Sequence, residues 1–300
     1  MTANEFTEDD RLTRFLLEPS GVRGVLVDLR QTWDAIRARN PYPEAVAECL
    51  GETCAAAALF TGHAKIDGCL SVQLRGTGAL RTLFAECTAA GTLRGIAHYQ
   101  EPLPDPLTPR AFGEGSVLAI TIETLPPGGK ELQRYQGLVE LQADRLADAF
   151  EAYFQQSEQL PTRLLLAADG ERAVALMLQQ LPDGHGDPDG WTRCSALFDT
   201  LTAPEMLQVP GSDLLHRLFH EENLRVLGQR PLSFACSCSR TRVEDMLRSL
   251  GPEEAAEACR EGQAEVHCDF CGQAYRFDPS EIADLFGLAA PNAPGSGLLQ

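Results

Sequence analysis

Four cysteines near the C-terminal end constrain this 300-residue chain more than any other feature. They fall as Cys236-Ser237-Cys238 and, after 29 intervening residues, Cys268-Asp269-Phe270-Cys271. Two thiol pairs flanking one small folding unit can converge on a single tetrahedral ion, as four-thiolate zinc sites do. A unit of roughly 60 residues with few large apolar side chains needs such a staple. Zinc would supply much of its folding free energy, on the order of 10 kcal/mol in favourable cases. Cys236, Cys238, Cys268 and Cys271 are therefore the candidate ligands of one Zn2+ per chain. The first pair has one intervening residue where structural zinc sites usually have two. A C-x-C pair can ligate a metal, and its neighbouring sulfurs can also close on each other as a disulfide.

The rest of the chain is large enough for about two domains. At 44% hydrophobic residues it can bury a real core. Net charge is 25 − 43 = −18, and the acidity continues into residues 231–300, where the balance is 5 − 11 = −6. That surface argues against nucleic acid and anionic membranes as partners. No apolar stretch follows a basic head near the start, and no run approaches the roughly 18–20 apolar residues of a spanning helix. The expected location is cytoplasmic, where thiols stay reduced. Cys49, Cys54, Cys69 and Cys87 lie in apolar patterns and read as small core hydrophobes. Cys259 reads as an inward-facing helix residue, and Cys194 is assigned no role.

Periodicity gives an α+β chain: an N-terminal mixed sheet and helix core domain (1–180), a metastable helical linker (181–230), a small C-terminal zinc-binding domain (231–290) and a flexible tail (291–300). Strands are expected at 20–28, 68–74, 79–87, 92–99, 118–122 and 135–141, with a hairpin through Asp169-Gly170 joining 164–168 to 172–178. Helices are expected at 44–60 and 143–156. The segment 181–190 is rich in Gly, Pro and Asp and marks a boundary. Short helical patterns follow, one carrying Trp191, Cys194, Phe198 and Leu201, another Leu214, Leu215, Leu218 and Phe219 with Ser212 or Asp213 as N-cap. Such short helices are marginal without a surface to pack on. Helices at 240–250 and 253–260 separate the thiol pairs.

Other chemistry is poorly supported. Gly128-Gly129-Lys130-Glu131 lacks the upstream glycine and the Ser/Thr of a phosphate loop, and Gly76-Thr77-Gly78 lacks the third glycine of a dinucleotide fingerprint. The histidines form no visible constellation, and His267 beside Cys268 reads as a bystander. A thioredoxin-type Cys268–Cys271 catalyst would need a helix after the motif, whereas 272–277 reads as a turn and a strand. Four thiolates leave no open coordination position for metal catalysis. The chain is expected not to be an enzyme.

The C-x-C and C-x-x-C pairing resembles the bacterial redox-regulated heat-shock chaperone family of about 33 kDa. The neighbouring residues Phe234-Ala235, Leu250-Gly251-Pro252-Glu253-Glu254, Val266-His267, Tyr275 and Phe277 agree. So do Gly21-Val22-Arg23-Gly24, Tyr42-Pro43, Leu50-Gly51-Glu52, Lys65-Ile66-Asp67-Gly68, Glu86-Cys87, Leu93-Arg94-Gly95 and Tyr135-Gln136-Gly137. The segment Ser157-Glu158-Gln159-Leu160-Pro161-Thr162-Arg163-Leu164 completes a match over nearly the whole chain. Departures are the turn-rich stretch at 184–190 and the acidic surface with only Lys65 and Lys130 as lysines.

The resemblance implies an ATP-independent holdase that is off when reduced, with the four cysteines as zinc thiolates. It implies that peroxide with partial heat unfolding, or hypochlorous acid, forms Cys236–Cys238 and Cys268–Cys271 disulfides with loss of zinc. It also implies unfolded client proteins as partners and a homodimer in the oxidised state. Collapse of the cysteine unit is then expected to destabilise the helices between Trp191 and Leu227 and expose Trp191, Phe198, Leu201, Leu218 and Phe219. The alternative is a constitutive zinc-stabilised interaction or nucleic-acid-binding protein, whose site would survive oxidant and whose surface near the site would be basic. A thiol–disulfide oxidoreductase would show turnover with a small-thiol reductant.

Overall fold

The computed structural model describes residues 10–64, 66–125, 131–182, 186–260 and 262–287. Lys65, the Gly128-Gly129-Lys130 run, Gly184, His185 and the expected tail 291–300 lie outside the described residues. The chain divides into two units, the first ending at Ala235 and the second beginning at Cys236.

The first unit runs β1 (Arg11–Leu17), β2 (Val22–Leu29), α1 (Gln31–Arg37), α2 (Glu44–His63), β3 (Gly68–Arg75), β4 (Leu80–Thr88) and β5 (Thr92–Tyr99). It continues with β6 (Val117–Thr124), β7 (Gln133–Glu140), α3 (Leu146–Ser157), β8 (Thr162–Ala168) and β9 (Ala173–Gln180). Helices α4 (Gly190–Phe198), α5 (Ala203–Gln208) and α6 (Gly211–Phe219) and strands β10 (Leu224–Pro231) and β11 (Ser233–Phe234) close it. One antiparallel sheet has the order β10-β1-β2-β9-β8. The other has the order β11-β5-β4-β3-β6-β7 and contains one parallel pair, β11 with β5.

Helix α2 explains how two sheets share one core. Its sequence EAVAECLGETCAAAALFTGH has no polar stripe beyond its first turns, and Cys54 to Leu59 are fully buried. A helix apolar all round must be enclosed. It packs on β2, β8 and β9 of one sheet and on β3, β4 and β5 of the other. The alanines allow close approach, and Gly95 on β5 completes the fit. A Cβ at Gly95 would lie 2.5 Å from Cys54 Sγ and 3.3 Å from Leu50 Cδ1. Gly95→Ala is therefore expected to cost about 1–3 kcal/mol by overpacking. A thermal midpoint several degrees lower is the expected reading, and an unchanged one would contradict this packing.

Strands β2 and β9 are nearly continuous apolar runs because both faces of their sheet are covered. Val25, Val27, Leu29, Ala175 and Met177 face the α2 core. Val22, Leu26, Val174, Leu176 and Leu178 join a second core with Cys194, Phe198, Met206, Leu214 and Phe219 of α4–α6. Thus Phe198, Leu201 and Phe219 are buried, while Trp191 and Leu218 are partly so.

A polar clamp ties this helical layer down. Arg193 of α4 donates to Glu222 Oε1 at 2.5 Å, to Asp187 Oδ2 at 2.9 Å and to Ser20 Oγ at 3.2 Å. Ser20, in the β1–β2 turn, itself donates to the buried Glu222 carboxylate.

Three elements differ from the sequence reading. Residues 224–230, expected as helical linker, form β10 with Pro231, paired with β1. Its exposed, polar-rich pattern carries no strand signal of its own; the pairing partner decides it. β1 was not expected at all. Helix α6 has Pro210 at its N-cap with no side-chain cap, and Asp213 sits in the first turn facing the helix dipole.

The second unit holds α7 (Arg240–Leu250), α8 (Pro252–Glu257), β12 (Ala264–His267), β13 (Ala274–Phe277) and α9 (Pro279–Leu285). Among the described residues, its buried core cluster comprises Leu247, Ala255, Cys259, Ala264, Phe277 and Ile282, with Ala283 also buried. Cys259 lies in the turn after α8, inside that core. No helix among the described residues is long and apolar enough to cross a membrane.

Candidate metal centre

The two thiol pairs reach the centre by different local geometries. Cys236 and Cys238 flank Ser237 in an extended segment, where residues two apart project to the same side. Ser239 then caps α7 by accepting from Arg242 N at 3.2 Å, and Arg242 Nη1 donates to Ser237 Oγ at 2.6 Å. Cys268 and Cys271 sit in the turn between β12 and β13. Gly272 N donates to Cys268 O at 2.7 Å and Cys268 N donates to Gln273 O at 3.0 Å. Gly272 has φ +72, a left-handed conformation that suits glycine. The turn leads into a strand and not a helix, so no helix dipole activates this pair as in thioredoxin-type sites.

All four sulfurs lie within 4.8 Å of one another. Cys236 Sγ is 3.6 Å from Cys268 Sγ, and Cys238 Sγ is 3.4 Å from Cys271 Sγ. Four sulfurs at 2.3 Å from a tetrahedral ion stand about 3.8 Å apart, so the cluster has the size such an ion requires. The residues fit the group: four soft donors, no fifth ligand and no open position. His267 points to Glu265, with Nε2 3.0 Å from Oε1, and stays outside the cluster.

The thiols polarise one another. Burial raises the Cys238 thiol, but hydrogen bonds from Tyr275 and the neighbouring cysteines outweigh this and bring it down to about 7. Tyr275 Oη donates to Cys238 Sγ at 3.1 Å. Burial, and then donation to Cys238, pushes Cys271 up to about 12. Burial also raises Cys236. The metal-free cluster thus favours a shared thiolate, whereas a bound dication favours all four. Tyr275 is the contributor that spacing alone did not single out. Its signal was an aromatic hydroxyl four residues after Cys271.

The remaining cysteines divide by environment. Cys54, Cys87 and Cys194 are buried, and Cys49 and Cys69 are half-buried. Among the described residues, only the four-cysteine cluster brings metal-ligating atoms together in this way.

A family profile described as Hsp33 protein matches residues 10–278. The chain belongs to the Hsp33 family. A protein named 33 kDa chaperonin from Ectopseudomonas mendocina (strain ymp) is 44% identical, over 97% of this chain and 98% of its own length. A 33 kDa chaperonin from Chromobacterium violaceum is 42% identical, over 92% of this chain and 94% of its own. The crystal structure of the Hsp33 homologue of Thermotoga maritima aligns with TM-score 0.79 at 21% identity, covering 93% of this chain and 98% of that one. It has the same mixed fold. The family resemblance drawn from the residues is thereby confirmed, as is the α+β class.

Proposed function

We propose that this chain is a redox-regulated, ATP-independent holdase whose switch is the cysteine cluster. The observation that carries it is four sulfurs within 4.8 Å of one another in a unit whose described residues bury one aromatic and two large aliphatic side chains. Zn2+ held by Cys236, Cys238, Cys268 and Cys271 would keep all four sulfurs as thiolates and staple the unit. Thiolate is the species an oxidant attacks. Two thiolates give up two electrons to a peroxide, which is reduced to water or hydroxide, and one S–S bond forms. Closing Cys268–Cys271 removes half of the ligand set, and closing Cys236–Cys238 removes the rest. The unit then lacks the staple its small core needs.

The responsive segment is 181–230, which residues 231–235 join to Cys236. Release of α4–α6 would uncover Val22, Leu26, Leu176 and Leu178 together with Phe198 and Phe219. Contiguous apolar surface of this kind binds non-native chains. The oxidised form acts as a homodimer, the working compartment is the cytoplasm, and no catalysed reaction is assigned. Domain limits are 1–180, 181–230 and 231–290.

The test pairs two readings on zinc-loaded, reduced protein treated with peroxide at mild heat. Zinc release is followed with a chromophoric chelator, and suppression of client aggregation is followed without ATP. The expected result is one zinc per chain released as suppression appears. Zinc retention, or release with no gain in suppression, would make the cluster a permanent staple.

A further inference from the structure

The register of β10 on β1 shifts between Arg14 and Phe15, with Arg14 opposite Gly228 and Leu12 opposite Arg230. Residues two apart on a strand share a face, so Arg14 and Arg230 stand diagonally on one side of the sheet. Both line a cavity of about 210 Å³, walled also by Leu12, Gly228 and the C-terminal end of α2 at Thr61 and Gly62.

Neither guanidinium has an acidic partner among the described residues. Arg230 is half-buried, and its Nη1 donates to Ala89 O at 2.6 Å. Its Nε and Nη2 are buried and meet no acceptor. Arg14 is exposed and makes no hydrogen bond or ion pair with a described residue. Acidic residues outnumber basic ones 43 to 25 in this chain, and other enclosed arginines find a carboxylate. Arg172 takes Asp28 at 2.5 Å, and Arg94 takes Glu86 at 3.0 Å. Two buried donors of a charged group left unmade are costly, and a like charge on the diagonal adds to the cost.

The cavity wall does not relieve them. Thr61 Oγ1 spends its proton on Ala57 O at 2.8 Å. The C-terminal end of the α2 dipole favours a cation, yet no carbonyl there accepts from either guanidinium among the described residues. A single bridging water needs only ~10–15 Å³ and does not fill the space.

We propose that this cavity is a binding site for a phosphate-type oxyanion, with Arg230 as the inner fork and Arg14 closing on it from the solvent side. A guanidinium presents paired N–H donors that match the oxygens of phosphate or carboxylate. Two guanidiniums match the charge of about −1.5 to −2 on a phosphate group at pH 7 better than the single charge of a carboxylate. Arg230 also holds Ala89 in the turn between β4 and β5, so a bound anion ties β10 to both sheets.

The test is calorimetry on the reduced, zinc-loaded full chain at constant ionic strength, with inorganic phosphate, glycerol 3-phosphate and acetate in separate arms. The first two arms separate a free ion from a phosphorylated metabolite, and the third tests the charge match. The expected result is saturable phosphate binding at one per chain, weakened at least tenfold by Arg230→Met and by Arg14→Gln. Arg110→Gln, which removes an exposed guanidinium that serves Asp144, should bind as the wild type does. Phosphate should also raise the thermal midpoint of the wild type and leave that of Arg230→Met where it is. Arg14→Gln changes an exposed side chain and so keeps the test decisive should Arg230→Met fold poorly. Tighter binding of the ester would support the site and assign it to a phosphorylated metabolite. Acetate binding as tight as phosphate, equal binding by all three variants, or no saturable binding at millimolar phosphate would overturn the proposal.

Discussion

Stripping the metal from the reduced protein is expected to unfold residues 236–287 while α2 keeps its place between the two sheets. The second unit has one aromatic and two large aliphatic side chains in its buried core. Ordering some fifty residues costs about 1–2 kcal/mol each in backbone entropy alone. So small a core does not offset that, whereas a structural four-thiolate zinc contributes about 10–16 kcal/mol in apparent free energy. Local devices help: Arg240 lies 4.2 Å over the Phe277 ring, and the Asp278–Glu281 capping box starts α9. Such terms are worth about 1 kcal/mol each and cannot substitute for the ion. Cys268→Ser and Cys271→Ser should behave like the chelated protein, since a three-sulfur site loses both affinity and geometry. Far-UV circular dichroism and limited proteolysis provide the check. The expected pattern is loss of α7–α9 with new cleavage after 236. A second unit that stays folded and protease-resistant without metal would refute the staple.

The cluster was legible because thiol chemistry is local in sequence. Two pairs with short internal spacing and a helical spacer leave few geometries other than convergence. The role of Tyr275 was not legible, because a hydroxyl donating to one sulfur depends on the register His267↔Ala274 of the β12–β13 hairpin. No spacing rule encodes that.

The fold divides in the same way. Helix α2 and β3 to β7 of the six-stranded sheet were readable, because their apolar periodicity answers to one core; the two residues of β11, paired with β5, were not. Strand β1 was missed although Arg11–Leu17 alternates weakly, since its burial is decided by β2 on one side and β10 on the other. Strand β10 lay inside a segment whose neighbours were helical, and its own side chains are mostly exposed. Edge strands of this kind are specified by the partner and not by pattern. The helices α4–α6 were read as short and marginal. The structure supplies the surface they need, the outer face of β2 and β9.

Phe219→Ala is the expected shortcut to the active state. Phe219 is fully buried, and its ring centroid lies 6.1 Å from that of Phe15 on β1. Truncating such a side chain costs about 3–5 kcal/mol. Helix α6 has nine residues and anchors itself with Leu214, Leu215 and Phe219, so it cannot remain docked alone after that loss. The α2 core shares none of these three residues and should persist. If release of the helical layer is what exposes client-binding surface, the reduced, zinc-loaded variant should suppress aggregation without oxidant. Phe150→Ala serves as the control. It removes a comparable aromatic from the α2 core, where Phe60 packs edge-on at 5.0 Å. It should lower the thermal midpoint without conferring activity. The clamp gives a second route to the same state. Arg193→Ala strands the Glu222 carboxylate, whose side chain is 5% exposed, and should loosen the helical layer. Hydrogen bonds from Arg193 hold the Glu222 carboxyl below its usual range despite burial. Its stabilising contribution is therefore present above the unfolded-state value of about 4.3 and is lost as pH falls through the lower folded value. Hydrogen exchange in α4 and α6 should quicken in acid before that in α2, and Arg193→Ala should abolish the difference. Equal protection of the two layers at every pH, or a Phe219→Ala protein that is loosened yet inactive, would place the client surface elsewhere than under these helices.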